Sequence, residues 1–86
     1  MNKAAKLLDA MRNNPRDWRI EQVKTVAQQY GITRRTPRGS HHTFYYQGVP
    51  GVVTVPAHIP INPSYIIEFV KFVDVVKALR EKEKNG

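Results

Sequence analysis

Apolar residues in the first third of the chain recur three and four positions apart, with polar residues between them. Ala4, Leu7, Leu8 and Met11 keep this spacing and predict a short amphipathic helix over 3–12, stopped by the turn residues Asn13, Asn14 and Pro15. Ile20, Val23, Val26, Ala27 and Tyr30 form a second stripe, which predicts a helix over 18–30. Asp17 is the expected N-cap, and Gly31 supplies a residue free to turn left-handed at the end. Trp18 at the helix start reads as a hydrophobic staple or core residue in preference to a base-stacking platform.

Beyond Gly31 the period changes from helical to alternating. Short extended segments are predicted at 32–36, 40–47 and 52–55, separated by Pro37-Arg38-Gly39 and by Gly48-Val49-Pro50-Gly51. Within 40–47, a regular strand puts His42, Phe44 and Tyr46 on one face and His41, Thr43 and Tyr45 on the other. The two histidines therefore cannot share a surface, and one faces the core. The β-branched run 52–55 is expected in the middle of a sheet or covered on both faces. A proline-rich connection follows, and then Asn62 as N-cap with Pro63 at the first helical position. The apolar positions 65, 69, 72, 76 and 79, together with 66, 70 and 73, make the rest a long helix with a wide apolar face. The order α-α-β-β-β-α predicts an α+β domain, with two helices on one face of a three-stranded antiparallel sheet and a short extra helix in front.

Length limits the chain to one domain, since 86 residues cannot form two independent cores. The expected organisation is an appended helical segment at 1–17, a core at 18–79 and a solvated charged tail at 80–86. There is no cysteine, so packing alone must hold the fold. The opening residues lack the apolar core of a signal peptide, and no apolar run reaches the roughly 18 residues of a membrane span, so a cytoplasmic protein without membrane contact is expected. Charge narrows the partners. Fourteen Lys and Arg against seven Asp and Glu leave a net +7, most of it before Thr43. A polyanion suits such a surface, and solubility alone is the competing explanation.

The stretch 34–46, RRTPRGSHHTFYY, gathers the residue types that hold phosphates, stack on bases and move protons near neutral pH. Three histidines do not make a persuasive metal site, because His41 and His42 diverge and His58 with either supplies two ligands. No cofactor is expected: carboxylates do not cluster, and no phosphate-cradling glycine loop precedes a helix. Metal-free chemistry on RNA needs less. One imidazole can take the proton of a 2′-hydroxyl, which then attacks the adjacent phosphodiester, while arginines steady the charge that develops.

The run RGSHHTF, followed a short hairpin later by VVTVPAH and a helix, resembles the HicA-type toxins of bacterial toxin–antitoxin modules. The resemblance covers about residues 19–79. It implies a double-stranded-RNA-binding-like fold, metal-independent cleavage of mRNA, and a HicB-type antitoxin that covers the active site. Its Gly-Ser-His-x-x-aromatic motif falls on Gly39, Ser40, His41 and Phe44 and makes His41 the catalytic histidine. Its strand-Pro-x-His feature falls on Pro56 and His58. Two features depart from the family, the helix within 1–17 and the longer, more apolar last helix.

The resulting expectation is a toxin-like endoribonuclease with His41 as general base or acid. Arg34, Arg35 and Arg38 are its expected phosphate contacts, Tyr45 a base-stacking or orienting group, and Ser40 and His58 further RNA-facing residues, with His58 second to His41 as a candidate for the chemistry. Two other readings remain open at this point, a non-catalytic RNA-binding module and a protein-interaction domain built on the last helix.

Overall fold

The computed structural model describes residues 2–85, with the side chains of Pro37, Arg38 and Asn85 outside that description. The elements are α1 (Lys3–Asn13), α2 (Ile20–Gln29), β1 (Thr33–Arg38), β2 (His41–Tyr45), β3 (Val53–Pro56) and α3 (Pro63–Asn85). The strands form an antiparallel sheet in the order β1-β2-β3, and α2 and α3 cover one of its faces. The chain is thus an α+β domain.

Local chemistry accounts for most boundaries. The Asn2 side chain accepts from the Ala5 N–H at 2.8 Å and caps α1. At the end of α2, the Ile32 N–H reaches the Ala27 carbonyl and the Gly31 N–H reaches that of Gln28, with Gly31 at φ +70°. This pair of hydrogen bonds around a left-handed glycine satisfies two carbonyls at the helix end, and Ile32 is buried in the core. Asn62 caps α3 by accepting from the Ser64 N–H at 2.9 Å, directly before the pre-organised φ of Pro63. The start of α2 differs from expectation. Asp17 sits at φ +65° in the preceding turn, and the helix begins at Ile20, where the Arg19 N–H donates to Gln22 Oε1. Trp18 is withdrawn from the helix because its indole N–H donates to the Asn14 carbonyl at 2.6 Å and its own carbonyl accepts from Ile61. It packs against the core, so its role is structural.

Phe44 of the central strand and Phe69 of α3 are both fully buried, in a tilted pair with ring centroids 5.3 Å apart. Val23, Val26, Ile61, Ile66, Val73 and Val76 close around them. The N-terminal helix is part of this core. Leu8 and Met11 of α1 are each 1 % exposed, and Arg12 grips Asp74 of α3 through two hydrogen bonds of 2.7 and 2.8 Å. That guanidinium holds the Asp74 carboxyl below the ordinary carboxylate range. At the other end α3 continues as helix through the charged segment 80–85, where Arg80 and Glu83 reach Gln29 and Tyr46.

The third strand is not central. β3 lies at the sheet edge, its Thr54 is exposed, and Val52 just before it is 59 % exposed. The β-branched run reflects strand propensity here, not coverage on both faces.

Candidate functional site

The face of the sheet turned away from the helices is built by alternation along β2. His42 and Phe44 point inward and are buried, whereas His41 is exposed and Thr43 and Tyr45 are half-buried on the opposite side. Cross-strand pairing then assigns the flanking strands to the two faces. Thr33 lies opposite Tyr45 and Arg35 opposite Thr43, which puts both exposed β1 residues on the open face with His41. From β3, Thr54 lies opposite Thr43, and the two hydroxyls approach to 3.3 Å.

The expected site residues divide between the faces. His41, Arg35 and Tyr45 share the open side. Ser40 is exposed in the two-residue turn between β1 and β2, and His58 is exposed just beyond β3. Arg34 does not join them. It pairs with Phe44, so its side chain leaves from the helix-covered face, and its Nη1 lies 3.2 Å from His42 Nδ1. The backbone of Arg38 pairs with His41 after a register shift in β1, and its side chain lies outside the described residues.

The Arg34–His42 contact defines the state of the inward histidine. A guanidinium only donates, so Nδ1 of His42 must accept and the ring proton sits on Nε2. The contact thus favours the neutral ring. Burial, with Arg34 and Lys24 nearby, pushes its pKa below the ordinary histidine value, in keeping with that tautomer. A histidine held neutral and shielded within the fold is a poor proton shuttle, whereas His41 is open to a ligand from the sheet face.

Alternation puts Thr43 on the His41 face without assigning it a role, and Thr54 escaped the sequence reading. Thr43 and Thr54 form a hydroxyl pair between His41 and Tyr45, a donor and acceptor surface suited to sugar or phosphate oxygens. Alternation within Val53, Thr54 and Val55 carried the signal, and the high β-propensity of all three residues masked it.

Grooves are also present among the described residues, one of them lined by Thr33, Tyr46 and Gly48 at the far end of the open face. A further groove runs between Tyr30, Lys77, Arg80 and Lys84 where α2 and α3 end, and another lies beside Lys24, Gln28 and Arg34. The His41 face sets Arg35, Thr43, Tyr45 and Thr54 side by side across the strands. It suits an extended polymer laid across it better than a small molecule enclosed in a cavity. Among the described residues no three histidine, aspartate or glutamate side chains converge on one point, and no helix is long and apolar enough to cross a membrane. Fold and site together define a small α+β domain whose open sheet face carries His41 and Arg35. No family model, no curated protein and no solved structure matches the chain.

Proposed function

We propose that the chain is a HicA-type endoribonuclease with a double-stranded-RNA-binding-like fold, acting on mRNA in the cytoplasm and held in check by a HicB-type antitoxin. One observation carries this reading: His41 stands exposed on the open sheet face with Arg35 and Tyr45, while the adjacent His42 is locked inward and neutral. A strand laid across that face meets an imidazole, a cation and an aromatic ring at three successive outward positions of β2, 41, 43 and 45, with Arg35 standing opposite Thr43. His41 handles a proton in the attack of a 2′-hydroxyl on the neighbouring phosphorus, and Arg35 balances the charge on the phosphorane. The P–O5′ bond breaks and a 2′,3′-cyclic phosphate remains. None of these steps calls for a metal. The excess of Lys and Arg draws RNA to the surface, and an acidic antitoxin covering the same cations silences it.

The test is to incubate purified protein with single-stranded RNA in excess EDTA and to compare His41→Ala and His42→Ala. Wild type is expected to leave cyclic phosphate ends, and His41→Ala to lose roughly 10²–10⁴ in rate while staying folded. Cutting at a position that carries 2′-deoxyribose would rule the mechanism out. RNA that is bound but left intact would replace it with the non-catalytic RNA-binding reading.

A further inference from the structure

The connection after β3 brings the third histidine to the same corner of the sheet as His41. His41 pairs with Pro56 across the β2–β3 ladder, and one rung further on the Ala57 N–H donates to the Ser40 carbonyl at 2.7 Å. The two backbones thus stay in register beyond the end of the strand, and His58 is the next residue. Pro56 stands opposite His41, and His58 follows two residues later, just beyond the end of β3. Were the chain to stay extended for that one further residue, His58 would be the diagonal neighbour of His41, a relation that sets residues roughly 7–8 Å apart. That spacing admits one phosphodiester with an imidazole on either side.

Surroundings reinforce the placement. Both histidines are exposed, and Pro56, at the root of the connection, is buried and anchors it. From Gly51 to Pro63 the chain carries no Lys, Arg, Asp or Glu, so His58 is the ionisable side chain of that segment. Pro56 and Pro60 on either side fix φ and limit how far the loop can swing.

Building on the ribonuclease reading above, we infer that His41 and His58 form an acid–base pair that divides the two proton transfers of the cleavage. One imidazole, neutral at the outset, takes the 2′-hydroxyl proton as the 2′-oxygen bonds to phosphorus. The other, protonated at the outset, gives its proton to the 5′-oxygen as the P–O5′ bond breaks. The products are a 2′,3′-cyclic phosphate and a 5′-hydroxyl. The two rings have exchanged protonation states, and water resets them. Each transfer needs its own group because a 5′-alkoxide is a poor leaving group unless it is protonated as it departs.

The experiment measures pH–rate profiles of the full chain, His41→Ala and His58→Ala on two substrates. One is natural RNA. The other is an oligoribonucleotide in which sulfur replaces the bridging 5′-oxygen at the mapped cleavage site, giving a leaving group that needs no proton. The wild-type profile on natural RNA is expected to be bell-shaped, and His58→Ala to lose roughly 10²–10⁴ in rate together with one limb of the bell. On the sulfur substrate, one of the two variants returns to within about tenfold of wild type and the other does not, which identifies the acid. A His58→Ala protein that cuts natural RNA as fast as wild type overturns the pair and leaves the His41 reading intact. So does a slowed His58→Ala that keeps both limbs while neither variant is rescued. Wild-type protein that leaves RNA uncut overturns the ribonuclease reading itself. Thermal melts accompany each variant, and His58→Gln replaces His58→Ala should the latter unfold.

Discussion

Replacing each of the two neighbouring histidines with alanine separates chemistry from packing. His42 is 8 % exposed, lies opposite Val55 on the core face and accepts a hydrogen bond from a charged guanidinium. His42→Ala empties a buried volume smaller than a leucine side chain, at the low end of the roughly 2–5 kcal/mol seen for large-to-small core changes. The lost bond to Arg34 adds little, because Arg34 is exposed and water replaces its partner. A net loss of about 2–3 kcal/mol follows. In an 86-residue domain each kcal/mol moves Tm by about 4–8 °C, so a drop of about 8–24 °C is expected. His41 is exposed and has no such role, and His41→Ala should stay within about 0.5 kcal/mol of wild type. Urea unfolding and thermal melts followed by circular dichroism measure both. Equal destabilisation by the two variants, or a His42→Ala protein as stable as wild type, would refute the assignment of faces.

The depressed pKa of His42 makes the fold sensitive to mild acid. Below about pH 6.5 the unfolded chain binds a proton that the folded chain resists, so stability falls as pH drops, by at most about 1.4 kcal/mol per pH unit, until the folded state is protonated too. Urea midpoints between pH 7.5 and 5 should show this loss in wild type, and His42→Ala should flatten the curve in that window. Arg35→Ala is expected to lower the log–log salt slope of RNA binding by roughly 0.7 and to slow association with an acidic antitoxin, whereas Arg34→Ala should act mainly on stability through His42. A larger slope change for Arg34→Ala would mean that RNA approaches the other side of the sheet. Leu8→Ala should cost about 2–5 kcal/mol by the same melts, because α1 is part of the core, and a neutral result would make α1 the dispensable appendage its position in the chain resembles.

What could be read from the residues alone was local. The helix caps at Gly31 and Asn62 depend on one or two neighbours, and the opposite orientations of His41 and His42 depend only on the two-residue period of a strand. These emerge from any window of a few residues, because the backbone geometry that creates them spans no more. The start of α2 was less legible. Asp17 has the chemistry of a cap, but the indole of Trp18 found a stronger partner in the Asn14 carbonyl and drew the chain out of the helix.

The rest was decided by partners distant in sequence. Alternation tells that Arg34 and Arg35 point opposite ways. Which of them joins His41 depends on β1 pairing Arg34 with Phe44, and a slip of one residue would exchange them. Strand order is equally non-local, which is why a run of valines reads as a central strand and stands at the edge. The burial of α1 against α2 and α3, and the bond from Ala57 to Ser40 that carries His58 toward His41, likewise exist only once the chain has closed on itself. Residue order supplies the side chains, and backbone period distributes them over the faces of each strand and helix. Which faces then meet is a property of the closed fold, because register and packing are set by the burial of apolar surface summed over the whole domain.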